Sequence, residues 1–159
     1  MFSSVVWAVR EPESKLVGFS GLFEKMGYRH WSRVFEYPWA WDRANFRPHQ
    51  WVLDAAGGDS PFGPAVASVG CQVVNVDLDV SKLPHPDSGV LSLKGDLVSL
   101  PFVDGSFDRV LCLSVLEHIP EPEKPLKELL RVLRPGGRLL VTMDVASYSR
   151  WNHTIDIRR

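Results

Sequence analysis

The chain lacks any apolar run of the ~18 residues that would cross a bilayer. Its opening, MFSSVVWAVREPE, has one short apolar stretch with no basic segment ahead of it. Neither a spanning helix nor a secretory leader is expected. Cysteine is scarce: Cys71 and Cys112 alone, both in apolar surroundings. They read as reduced core thiols rather than a disulfide, the usage of a cytoplasmic protein. The Gly-rich turn lacks the G-x-G-x-x-G spacing of a dinucleotide fingerprint, because the distance from Gly58 to Gly63 is too long. There is no metal-ligand spacing, so no metal is expected, and no nucleophile elbow. No repeat or low-complexity tract is visible.

What is present suits one globular domain. The chain has 159 residues, 45% of them hydrophobic and 23% charged, enough to bury roughly 70% of its unfolded surface. Net charge is −1, but it is unevenly spread. Residues 1–50 carry an excess of two positive charges, residues 51–130 an excess of seven negative, and residues 131–159 an excess of four positive. The acidic middle argues against a nucleic-acid groove there, since phosphate contacts need clustered Lys and Arg. It suits a site for hydroxyls and a cation. The basic tail is a candidate partner surface, though a solvated end explains it more simply.

The organisation divides into an N-terminal helical and aromatic segment (1–50), a core (51–145) and a tail (146–159). The first segment holds Trp7, Trp31, Trp39 and Trp41, with Trp51 at the junction. Leu16 to Met26 is expected as a helix stopped by Gly27, with another starting between Tyr28 and Phe35. Pro38 and Pro48 are expected to break the pattern. From residue 51 strands and helices alternate: Trp51–Asp54, then a helix from Pro64 to Val69 ended by Gly70, then Gln72–Asp77. Val90–Leu93 and Arg109–Leu113 follow. A helix over Glu123–Leu133 has Leu126, Leu129, Leu130 and Leu133 on one face. Pro135-Gly136-Gly137 should end it before a strand over Arg138–Met143. Continuously apolar strands separated by helices imply an α/β, doubly wound, Rossmann-like parallel sheet of about five strands.

Four segments fall at the carboxyl ends of successive strands, where such sheets bind ligands. Asp54-Ala55-Ala56-Gly57-Gly58 is a turn of small residues that lets the backbone approach a ligand. Asp77, with Leu78 after it, ends the second strand. A carboxylate there can accept from both hydroxyls of a ribose, each charge-assisted bond worth roughly 1.5–3 kcal/mol; Asp79 is the alternative. Gly95-Asp96-Leu97 places an acceptor at the third. Ser114-Val115-Leu116-Glu117-His118 follows the fourth, where His118 and Glu117 are ambiguous between chemistry and packing. Phe102 and Phe107 read as hydrophobic anchors, and Asp104-Gly105 as a turn.

From the Asp54 turn to Pro135-Gly136-Gly137, this ordered set resembles the class I S-adenosylmethionine (SAM)-dependent methyltransferases, near the small-molecule type 11 group. The resemblance spans about residues 50–145. Ala56 and Ser60 stand where the family places the first and third glycines. The resemblance implies that Asp54, Ala55, Ala56, Gly57 and Gly58 form the glycine motif and that Asp77 takes the ribose, with Leu78 beside it as a further cofactor-binding residue. It also implies that Asp96 and Leu97 take the adenine, and that Ser114 lies beside the methionine part. It implies methyl transfer to a small-molecule acceptor. The catalytic residue is unassigned, because in-line placement matters more to such a reaction than acid–base help.

The family's sheet has seven strands, and residues 145–159 are too few for the usual last helix and strand pair. A sheet lacking those two strands is therefore expected, its open edge covered by Trp151–Arg159 or by a second chain in a homodimer. No membrane association is expected, and nucleic acid is not expected as a partner. A methyltransferase-like binding module acting through a partner is the alternative; a nucleotide-binding oxidoreductase is a weaker third.

Overall fold

The computed structural model describes residues 4–8, 33–79, 81, 83–84, 86–144 and 152–158. The expected helix over Leu16–Met26 lies outside the described residues. In chain order the elements are β1 (Ser4–Ala8), α1 (Arg33–Ala44), β2 (Trp51–Ala55), α2 (Phe62–Ser68), β3 (Gln72–Asp77) and β4 (Val90–Lys94). Then come β5 (Phe107–Leu113), α3 (Glu123–Val132), β6 (Leu133–Asp144) and β7 (Asn152–Arg158).

All strands join one sheet in the order β1-β7-β6-β5-β2-β3-β4. The five strands from β6 to β4 are parallel, as the apolar runs require. The sheet does not stop there, so the expected lack of the last two strands is corrected. Strand β7 pairs antiparallel with β6 from Arg138↔Arg158 to Asp144↔Asn152. Strand β1 adds antiparallel to β7. The open edge of β6 is thus covered by the tail, and the chain's own first strand takes the outermost place. A sheet edge needs only backbone N–H and C=O partners, which any extended segment supplies.

Alternate residues of each strand divide between two faces. Val52, Val73, Leu111, Leu113 and Leu140 pack with Tyr37, Ala40 and Ala44 of α1 and with Phe62 and Val66 of α2. Leu53, Val74, Val76, Val110, Cys112, Leu139 and Val141 pack with Leu129 and Val132 of α3. The two cysteines are buried free thiols in different clusters. Burial pushes both thiols up, which leaves them protonated and unreactive.

Two local expectations are corrected. Pro38 lies inside α1 rather than breaking the helix. Its missing N–H costs a single bond to the carbonyl four residues back, and its buried ring helps fill the core. Helix α3 ends at Val132, before Pro135-Gly136-Gly137, because Leu133 is already extended (φ −76°, ψ 128°). A residue preceding proline is kept out of the helical region, so the helix has to stop by Arg134. The Pro-Gly-Gly segment is an excursion within β6, between the Phe107↔Leu133 and Arg109↔Arg138 pairs.

The turn from Leu100 to Asp104 is structural. The Arg131 guanidinium donates to the carbonyls of Leu100 (3.0 Å) and Phe102 (2.7 Å). Glu128 accepts the Leu100 N–H (2.9 Å). Phe102 meets Phe107 edge-on, centroids 4.9 Å apart. This stitching fixes how the chain returns from the Asp96 loop to β5.

Leu140 is fully buried on the α1 face. Leu140→Ala should lower the free energy of unfolding by about 2–5 kcal/mol, read as a fall in the urea midpoint. A change below about 0.5 kcal/mol would show that α1 does not press on β6 there.

Candidate functional site

The site is built at the carboxyl ends of β2, β3 and β5, roofed by α1. At the end of β2, Asp54 is almost fully buried (4% exposed). Its Oδ2 has no hydrogen-bond partner. The adjoining turn is left-handed at Ala56 (φ 54°) and again at Gly58 (φ 56°). Ala56 bears a strain that glycine would relieve. Gly57 is a steric necessity, because a Cβ there would fall inside the Asp54 carboxyl group.

The turn is moored to β3. Ala56 N–H donates to the Val76 carbonyl (2.7 Å), and Gly58 N–H to Asp77 Oδ2 (3.1 Å). Asn75 Nδ2 donates to the Gly58 carbonyl (2.7 Å). The other Asp77 oxygen accepts from the Asp79 N–H (2.9 Å). Each Asp77 oxygen therefore spends one lone pair on backbone and keeps another for a ligand hydroxyl. Gly95 N–H donates to the Asp77 carbonyl (3.0 Å), which sets the Asp96 loop beside this carboxylate. Asp96 is exposed, and its Oδ1 accepts the Val98 N–H (3.0 Å). The Leu97 side chain is a core residue, so only its backbone faces outward chemistry. Leu78 is 63% exposed.

The third wall comes from α1, and the sequence did not mark which of that helix's residues form it. Arg33 Nη1 donates to Glu36 Oε2 (2.6 Å) and to the Leu113 carbonyl (3.3 Å). Glu36, 1% exposed, also accepts from Ser114 Oγ (2.6 Å). Ser114 is held in a left-handed conformation (φ 52°), with its N–H shared between Thr142 Oγ1 and the Thr142 carbonyl. Tyr37 bonds Ser60 through their hydroxyls (2.8 Å), and Ser60 Oγ caps the Phe62 N–H (3.1 Å). The one available signal was a buried stripe at helical spacing, Glu36, Tyr37, Ala40 and Ala44, with an acid in an otherwise apolar run.

Between these walls lies a cleft lined by Arg33, Tyr37, Asp54 to Gly57, Ser60, Phe62 and Leu113. Of the residues singled out in the sequence, Asp54, Ala55, Ala56 and Gly57 line it directly. Asp77 and Asp96 adjoin it as a shelf, tied to the turn by the Gly58–Asp77 and Gly95–Asp77 bonds; Leu78 is exposed after Asp77, Leu97 turns its side chain into the core, and Ser114 acts from behind through Glu36. His118 is exposed in the short turn Leu116–His118.

The cleft pairs one acid with one cation. Burial raises the Asp54 carboxyl to about 7; Arg33 opposes that shift and Asp77 adds to it. Asp54 therefore holds its proton more tightly in the folded chain than in an unfolded one, where its value is near 3.8. Across that window the folded state carries the extra proton, so stability falls as pH rises from about 4 to about 7, by at most about 1.4 kcal/mol per unit. Asp54→Asn should remove that slope in unfolding free energies measured at about pH 5 and about pH 7. A slope surviving the substitution would place the titration elsewhere.

Residues 53–141 match the family described as Methyltransferase domain. The chain is 38% identical over 118 residues to a demethylmenaquinone methyltransferase from Renibacterium salmoninarum, covering 71% of this chain and 47% of that protein. The chain thus spans under half the length of the curated relatives it matches. Among solved structures, a candidate methyltransferase from Bacillus halodurans shares 27% identity at a TM-score of 0.63, covering 72% of this chain and 53% of that one. The [4+2]-cyclase SpnF, at 23% identity and a TM-score of 0.63, covers 74% of this chain and 47% of its own, a likeness of fold alone.

Proposed function

Because the chain belongs to the methyltransferase-domain family, we propose that its cleft and shelf bind SAM and serve methyl transfer to a small-molecule acceptor. The observation that carries this reading is the buried Asp54, with an unpartnered oxygen, lining the same cleft as Arg33. A carboxylate and a guanidinium in one pocket complement the two charges of an α-amino acid end. An incoming ammonium would hold Asp54 ionised and repay the cost of its burial.

The donor set fits the rest of the molecule. Asp77 retains lone pairs for the two ribose hydroxyls. The Asp96 carboxylate, an acceptor only when ionised, suits an exocyclic amine. Gly57 leaves room for the Asp54 carboxyl group, since a Cβ there would collide with it. When bound, SAM supplies an electrophilic methyl on a sulfonium. The residues of this chain bind and orient. Arg33, Glu36 and Ser114 lock α1 over the carboxyl end of β5, fixing one wall against which an acceptor can be placed. Such positioning lowers the barrier without any proton transfer by the protein. No catalytic base is assigned to His118 or Glu117.

Calorimetric titration with SAM and with S-adenosylhomocysteine tests the reading. Saturable binding is expected with both, and Asp77→Ala should weaken it by about tenfold or more. Absence of binding at high micromolar ligand would rule out a SAM pocket. Binding without turnover on any acceptor would instead favour a binding module.

A further inference from the structure

The end of the sheet opposite the cleft carries a group of arginines that ligand binding does not use. Arg109 and Arg138 are direct cross-strand partners on β5 and β6. Like charges placed opposite one another are destabilising unless something offsets them. Part of the offset is local. The Arg109 guanidinium donates to the Ala44 carbonyl and that of Arg138 to the Arg43 carbonyl, so both cap the carboxyl end of α1, where cations are favoured. Arg134 pairs with Asp108.

The offset is incomplete. Burial and the surrounding charges of Arg138, Arg134 and Arg47 together make Arg109 less basic than usual, with Asp108 acting the other way. Among the described residues Asp108 is the only carboxylate paired with this group.

Apolar side chains stand exposed among these cations. Trp51 opens β2, is 43% exposed, and donates its backbone N–H to the same Asp108 (2.8 Å). Val69, 39% exposed, precedes Gly70, whose carbonyl accepts from His49, two residues after Arg47. Val103, 78% exposed, precedes the Asp104-Gly105 turn that sits against Arg134. The acids of the cleft, Asp54, Asp77 and Asp96, all lie at the other end, while the exposed Asp104 at this end is paired with Arg131.

We propose that the amino-terminal end of this sheet is a docking surface for an anionic lipid bilayer. The exposed cations of this end, Arg47 and Arg134, match acidic head groups, each cation near such a surface contributing roughly 1 kcal/mol. Trp51 and the two valines suit the head-group boundary, where an amphipathic ring and small apolar side chains are buried together. Two valines have no task against a phosphodiester backbone, which favours the bilayer over a nucleic acid. No helix among the described residues is long and apolar enough to cross a membrane, so the contact is peripheral. It departs from the expectation of no membrane association, which rested on the absence of a spanning segment. The acidic rim of the cleft would be repelled by the same bilayer, so the protein docks with its ligand site turned to the aqueous side.

Co-sedimentation with vesicles tests this. The chain should bind vesicles containing phosphatidylglycerol, ignore pure phosphatidylcholine, and be released as salt approaches the molar range. Arg47→Gln with Arg134→Gln should weaken vesicle binding roughly thirtyfold, while SAM affinity stays unchanged. Asp77→Ala should have the opposite pattern, so failure of the pocket reading and failure of this one are distinguishable. The salt and lipid arms use the unaltered chain and stand even if the double variant folds poorly. No binding to phosphatidylglycerol vesicles, equal binding to phosphatidylcholine, or tighter binding to single-stranded RNA than to vesicles would overturn the proposal.

Discussion

Helix α1 is clamped to the sheet at both of its ends, and the site depends on that clamp. At one end Arg33 and Glu36 reach the Leu113 carbonyl and Ser114 Oγ at the close of β5. At the other, Arg109 and Arg138 cap its last carbonyls. Tyr37, Ala40 and Ala44 fill the space between against Leu111, Leu113 and Leu140. A cleft between a helix and a sheet needs both walls fixed, because a looser roof would leave Asp54 in water and remove its raised pKa. Ionic caps at both ends set the helix's position along the strands, which apolar packing alone specifies poorly.

The same clamp separates two electrostatic regions. Acids gather where strands end, around a turn whose amides and glycines leave room for a ligand. Arginines gather where strands begin, drawn partly by the negative end of α1. The buried Asp54 is costly in the ligand-free protein. A group with that cost is retained for what it does with a partner, and Arg33 is the cationic half of the same arrangement.

Much of the fold was legible. Apolar runs located β2, β3 and β5 within two residues, since a strand buried on both faces has to be continuously apolar. The leucine spacing of α3 likewise reported its buried face. The glycine turn, Asp77 and the Asp96 loop were legible because each follows a strand end. Pro38 was misread because proline's effect depends on how many helical bonds it removes and on whether its ring is buried, neither of which is local. Strand β7 was foreseen only as a cover for β6, since its alternation rests on just two apolar residues, Ile155 and Ile157.

By itself the sequence determined the alternation of strands and helices, the parallel sheet and the positions of its ligand-facing turns, since all of these follow from nearest-neighbour patterns of polarity and turn chemistry. Only the tertiary structure decided that Glu36 is buried, that Arg33 shares a cleft with Asp54, and that the chain's two ends complete the sheet. It alone brought Arg47 from one segment together with Arg109, Arg134 and Arg138 from others. Those relations join residues as far apart as Ser4 and Arg158, and their energies come from burial, backbone pairing and charge proximity, which exist only once the chain has closed on itself.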